Sequence, residues 1–120
     1  MARVTSVNKV YTFESVIRGY HIYKEIWDAE FSDELYCEIE ETNQHDRHAV
    51  SLVKNGEIVG HIPRENSKIS KFYIKRGGSI SCQVTGKRQN NNCGLEIPAI
   101  YTYTGNKKDT ESLEKLLKKV

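Results

Sequence analysis

Residues 43–64 read NQHDRHAVSLVKNGEIVGHIPR, and this stretch decides how the rest of the chain is read. Val50, Leu52 and Val53 form a β-prone run, and Ile58 to Ile62 form a second. Asn55-Gly56 lies between them. Glycine takes positive φ at no steric cost and asparagine tolerates it, so the dipeptide predicts a two-residue type I′ turn. Pro63 has no N–H to give a ladder and ends the return strand. His45, Asp46, Arg47 and His48 precede the first strand, and His61 and Arg64 close the second. A hairpin brings its open ends together, so any site built here is assembled by the hairpin itself.

Working outward, Val10 to Ile17 is strand-like, Gly19 breaks it as a bulge would, and Tyr20 to Tyr23 continues extended, with Ile26 and Trp27 prolonging the apolar character. Asp28 to Asp33 is a polar connection. Leu35, Cys37 and Ile39 alternate with Tyr36, Glu38 and Glu40, the period of a strand with one buried face. After Pro63 the period changes. Ile69, Phe72 and Tyr73 stand at i, i+3, i+4 and predict an amphipathic helix over 64–75, with Pro63 in its first turn and Gly77-Gly78 at its end. Ile80, Cys82 and Val84 alternate as a strand. Residues 86–94, GKRQNNNCG, read as a polar loop. Leu95 to Tyr103 is a last strand, whose Pro98 suggests an edge or a bulge. Asp109 or Thr110 can cap a short final helix carrying Leu113, Leu116 and Leu117. The result is a mainly β fold with one or two short helices, a small OB-like or SH3-like barrel of about six strands. Residues 1–9 read as a flexible N-terminus, 10–105 as the barrel domain, and 106–120 as a helical tail.

The chain has 120 residues, 38% hydrophobic and 28% charged, which suits one soluble domain with one core. No apolar run is long enough to span a membrane, and MARVTSVNKV lacks the apolar segment of a signal peptide, so the expected location is intracellular, nuclear or cytoplasmic. Cys37, Cys82 and Cys93 are odd in number without C-x-x-C spacing, which argues against a disulfide framework or a zinc site; Cys37 and Cys82 fall in the apolar phase of strands. His45, His48 and His61 invite a metal, but i, i+3 in extended chain sends side chains to opposite faces, and no metal or other cofactor is expected. No G-x-S-x-G, no P-loop and no nucleophile with an evident base is present, so the chain does not read as an enzyme. Asp46 in N-Q-H-D reads on its own as a turn residue bonding nearby backbone.

Net charge is only +2, but it is unevenly placed. Residues 25–46 carry Glu25, Asp28, Glu30, Asp33, Glu34, Glu38, Glu40, Glu41 and Asp46 and no Lys or Arg. Residues 64–88 carry Arg64, Lys68, Lys71, Lys75, Arg76, Lys87 and Arg88 against one acid, Glu65. The basic segment suits phosphate and the acidic one opposes it, unless the two are merely solvated faces. Lys68, Lys71 and Lys75 make one stripe along the predicted helix.

The run N-x-x-D-x-x-A-V, a short strand, N-G and V-G-H-I-P-R resembles the HIRAN domain, and the likeness extends from about Val16 to Gly105. The resemblance implies a modified OB-type barrel and a pocket that grips the 3′ end of single-stranded DNA. In that family the Asp of an N-P-Y-D motif bonds the terminal 3′-hydroxyl, aromatics stack on the last bases, and basic groups hold phosphate. Asp46 matches that Asp, His61 the V-G-H histidine, and Arg64 a position where the family carries Lys. His45 stands for the family's tyrosine, Leu95 for an aromatic of the last strand, and His21-Ile22-Tyr23 for an R-Y-Y segment, with Trp27 as a substitute if it folds over the pocket. Each missing stacking partner removes roughly 1–3 kcal/mol. The resemblance thus implies a module binding single-stranded DNA through His21, Tyr23, Trp27, His45, Asp46, His61, Arg64 and Leu95; the helix stripe adds Lys68 and Lys71 as phosphate contacts, and a monomer is expected. The competing reading is a protein-interaction module that has lost DNA binding. Glu38 and Glu40 facing the groove of Arg64 would favour the second.

Overall fold

The Asn55-Gly56 turn forms as its chemistry requires. In the computed structural model both residues have positive φ, 53° and 83°. They join β3 (Val50–Lys54) to β4 (Glu57–His61), with Lys54 opposite Glu57. The register shifts between Leu52, which faces Gly60, and Val53, which faces Ile58, so Val59 is the extra residue of a bulge. Gly60 is needed there: a Cβ would lie 2.6 Å from Ile17 Cγ2.

The structure describes residues 8–19, 29–91 and 94–119, and only the backbone of 90, 91, 94 and 95. Around the hairpin stand β1 (Asn8–Arg18), β2 (Glu34–Ile39), α1 (Arg64–Lys75), β5 (Ser79–Val84), β6 (Gln89–Asn91), β7 (Gly94–Asn106) and α2 (Lys107–Leu117). The neighbour order is β1-β4-β3-β2-β5-β7, all antiparallel, and β7 returns to β1. Six strands therefore close into the expected barrel, through a long β1–β7 seam and a single β1–β4 pair, Arg18 opposite His61. The core holds Ile17, Leu35, Val50, Leu52, Ile97, Tyr101 and Tyr103. In β2 the expected alternation holds, with Leu35 buried and Tyr36 outward. Among the described residues no helix is long and apolar enough to cross a membrane. Cys82 is a buried free thiol that burial pushes up to about 12, and Cys37 packs against the same core; Cys93 lies outside the described residues.

Four local expectations are corrected. Residues 86–94 are not all loop, because Gln89–Asn91 pair with Gly94–Glu96 as β6, a strand made by its partner rather than by its own composition. Pro98 is not at an edge. β1 runs along one side of it, and on the other side β7 changes neighbour from β6 to β5 between Glu96 and Ala99. Its missing N–H is tolerated at that change, and the Val16 carbonyl opposite accepts from the Tyr101 hydroxyl at 2.7 Å. Pro63 is the N-cap of α1 and precedes its first turn. Asn106, rather than Asp109 or Thr110, caps α2: its side chain accepts from the Asp109 N–H at 2.7 Å.

α1 lies on the barrel through a face more polar than its pattern suggests. Asn66, Ser67, Ser70 and Tyr73 are buried, and Phe72 is turned outward. Ser70 Oγ meets the Tyr103 hydroxyl at 2.9 Å, and the Tyr73 hydroxyl meets Thr110 Oγ1 of α2 at 2.8 Å. The Tyr73 and Tyr103 rings pack edge to face, 5.6 Å apart. α2 buries Leu113 and Leu117 in the common core. The helix ends as the glycines predict: the Gly77 N–H bonds the Ile74 carbonyl and the Gly78 N–H the Tyr73 carbonyl, a Schellman arrangement with φ +99° at Gly77.

Gly78 and Gly105 both give way to the Tyr73 side chain. A Cβ on Gly78 would lie 2.6 Å from Tyr73 Cδ2, and one on Gly105 would lie 2.6 Å from its hydroxyl oxygen. Gly78→Ala is therefore expected to destabilise the protein by about 1–3 kcal/mol in urea titration, through overpacking. An unchanged midpoint would show that Tyr73 can swing aside.

Candidate functional site

The loop before β3 is shaped by its own short polar side chains. Asn43 Oδ1 accepts from the N–H groups of His45 (2.8 Å) and Asp46 (2.9 Å). Asp46 Oδ1 accepts from the His48 N–H at 2.9 Å, and the Asp46 carbonyl from the Ala49 N–H at 3.0 Å. These side-chain turns are the role that Asp46 shows on sequence grounds alone. The far side of the loop is tied to α1: Arg64 Nη2 donates to the His45 carbonyl at 2.9 Å, and Lys71 Nζ to the Arg47 carbonyl at 2.7 Å. The hairpin's two open ends do meet.

Between loop and helix is an open cleft of about 450 Å³, lined by Gln44, His45, Asp46, Arg47, His48, Arg64 and Lys68. Four of the residues singled out from the sequence, His45, Asp46, Arg64 and Lys68, are thus brought together. Lys71 lies behind, holding the loop. His61 does not line the cleft: its Nε2 is 2.5 Å from Glu40 Oε1, which also accepts from Asn43 Nδ2 at 3.3 Å. A Cβ on Gly19 would lie 3.5 Å from His61 Nδ1, so His61 belongs to the end of β1 rather than to the loop. His21, Tyr23 and Trp27 lie outside the described residues, as does the side chain of Leu95, whose backbone pairs with Asn90. Neither Glu38 nor Glu40 lines the cleft; Glu38 sits in β2 opposite Ser51.

Sequence reasoning missed two participants. His48 is not among the binding residues expected from the sequence, yet its ring lies 6.0 Å from that of Phe72, and its buried Nδ1 has no partner among the described residues. Burial lowers its pKa from the ordinary 6.5, with Arg47, Lys71 and Lys68 acting in the same direction and Asp46 opposing them. That balance reports a net positive field at the back of the cleft. Arg47 is the other omission. The signal for both was available, since they lie in the same loop whose ends the hairpin must gather. Among the described residues the cleft combines three cations, Arg47, Arg64 and Lys68, with one carboxylate, Asp46. Such an arrangement can hold a polyanion and accept one hydrogen bond from it at a fixed point.

The fold is similar to several solved structures. The crystal structure of the HIRAN domain of human HLTF superposes with a TM-score of 0.74 at 17% identity, over 93% of this chain and 91% of that one. The NMR structure of the same domain in its DNA-bound conformation gives 0.69 at 18% identity, over 93% and 90%. A protein from Lactobacillus plantarum gives 0.61 at 13% identity, over 83% and 100%. At these identities the likeness concerns the fold. No curated protein matches the sequence. The model of the HIRAN domain family matches residues 10–101, most of the chain, and with the barrel, the hairpin and the loop in place the protein belongs to the HIRAN domain family.

Proposed function

We propose that the cleft between the Asn43–Ala49 loop and α1 binds single-stranded DNA, and that Asp46 reads a free 3′-hydroxyl end. The observation that carries this reading is the composition of the cleft wall: among the described residues Asp46 is its only carboxylate, beside Arg47, Arg64 and Lys68. Cations neutralise backbone phosphates and release counterions. A carboxylate accepts a proton from a terminal hydroxyl and repels a terminal phosphate, so it selects the kind of end. The HLTF domain with the same fold has a DNA-bound conformation, which supports nucleic acid as the ligand. The protein acts in this reading as a binding module and not as an enzyme. The acidic strand is no objection, because Glu38 stands outside the cleft and Glu40 is engaged with His61 and Asn43. The roles divide further. Arg64 and Lys68 meet phosphate, the exposed His45 ring offers a stacking face, and Lys71 keeps the loop in place.

Fluorescence anisotropy with a short labelled strand tests the proposal. The 3′-hydroxyl strand is expected to bind more tightly than its 3′-phosphorylated twin. Asp46→Asn keeps an oxygen for the His48 N–H, so the turn survives while the charge is lost, and the preference should disappear. Equal affinity for both ends in the unaltered protein would remove Asp46 from this role.

Lys68→Glu is expected to weaken all sequences alike and to reduce the slope of log affinity against log salt by about 1 or more. A slope that stays the same would return Lys68 to simple solvation.

His48 adds a pH dependence. Its folded pKa lies below the ordinary 6.5, so the unfolded chain takes up the proton first. Stability is therefore full above 6.5, falls as pH drops through it, and stops falling below the folded pKa. A bound phosphate raises the pKa of the ring in the complex, so DNA affinity increases as pH falls from the pKa of the complex to that of the free folded protein. NMR titration of the His48 ring, with and without an oligonucleotide, reads both; a free-protein pKa at or above 6.5 would contradict this account.

A further inference from the structure

α1 and α2 leave a second concave surface, which the barrel does not use. Ile69, Phe72 and Tyr73 from α1 and Leu113 and Leu116 from α2 line a groove of about 410 Å³. Phe72 is 45% exposed and Leu116 46%. A single exposed apolar side chain is ordinary, but two on adjacent helices lining one groove make a contiguous patch.

Its rim is basic. Among the described residues, Lys68, Arg76 and Lys108 stand around it with one carboxylate, Asp109. Both oxygens of Asp109 are already engaged, Oδ1 by Arg76 Nε at 2.9 Å and Oδ2 by Asn106 Nδ2 at 2.9 Å. Arg76 is thereby neutralised, and Lys68 and Lys108 remain without a carboxylate among the described residues. An apolar floor between two helices under a positive rim complements an amphipathic helix whose apolar anchors are flanked by Asp or Glu. A nucleic-acid backbone fits less well, because its recognition draws on polar donors and this wall is mostly hydrocarbon.

We propose that the α1–α2 groove is a docking site for an acidic amphipathic helix of a partner protein. It is separate from the 43–49 cleft and shares only Lys68 with it. The module then carries two ligands side by side on α1.

The test uses isotopically labelled protein and a synthetic helical peptide of about 15 residues, with Leu at i, i+3, i+4 and i+7 and Glu on its flanks. A twin peptide with Lys in place of Glu is the control. The acidic peptide is expected to give saturable amide shifts centred on α1 and α2, and the basic twin none. Leu116→Glu and Lys108→Glu, both at exposed positions, should each weaken the acidic peptide about tenfold, while oligonucleotide affinity in Leu116→Glu stays unchanged. No shifts, or equal binding of both peptides, would overturn the proposal. So would an oligonucleotide whose affinity falls in Leu116→Glu, which would make the groove a nucleic-acid surface, or a dimer dissociated by Leu116→Glu, which would make the occupant a second copy. Loss of peptide binding with 3′-end preference intact would leave the DNA reading standing, and the reverse result would leave this one.

Discussion

The pairing of β1 with β7 is the constraint on which the molecule depends. It runs without a break from Asn8 opposite Asn106 to Arg18 opposite Glu96. At its far end Arg18 Nε meets the nearly buried Glu96 carboxylate at 2.8 Å, and Arg18 also faces His61 across the short contact with β4. Without this seam the sheet would stay open, and Arg18 would not reach β4. The helices are fastened to the same strand and to each other by tyrosine hydroxyls, Tyr103 to Ser70 and Tyr73 to Thr110. A buried hydroxyl must find a partner or lose about 1–3 kcal/mol. These bonds therefore decide where α1 can sit, and α1 forms one wall of the cleft.

The cleft itself is built by small, local forces. Asn43 and Asp46 fold the loop on their own side chains, and α1 holds its outer carbonyls with Arg64 and Lys71. Two cations that composition assigns to phosphate are thus partly engaged in shape. The arrangement favours binding through order rather than through the number of charges, since a loop held in place before the ligand arrives loses less freedom on binding. It also couples loop and ligand, because any group that draws Arg64 away from the His45 carbonyl loosens the wall it lines.

Much of this was readable in advance where chemistry is local. Asn55-Gly56 specifies its turn, Gly77 its helix end, and the alternation of Leu35, Cys37 and Ile39 its strand, because each depends on neighbours in the chain. Readings failed where a distant partner decides. Gln89–Asn91 have no strand pattern and become one against β7. Asp109 and Thr110 are plausible caps, but Arg76 and Tyr73 from another helix engage their side chains and Asn106 takes the role. Phe72 is in the apolar phase of α1, yet Ser67 and Ser70 occupy the barrel side, where Tyr103 reaches up to meet Ser70 and the Ser67 hydroxyl donates to the Pro63 carbonyl. For the site, residue types and their gathering were legible. The separation of His61 from the cleft was not, since it depends on a carboxylate from β2.

The seam between β1 and β7 also governs how the chain reaches its native state. Its first contact joins residues 8 and 106, so almost the whole sequence must be collapsed before the seam can close. The β3–β4 hairpin forms early, on the microsecond scale of local turns, while barrel closure waits for the most distant partners and bears the largest loop entropy. During synthesis β1 leaves the ribosome first and stays without its partner until β7 has followed. Over that interval an eleven-residue strand exposes unpaired backbone and the side chains of Tyr11, Phe13 and Ile17, so the long strand that closes the finished barrel is also the segment most in need of protection while the protein is being made.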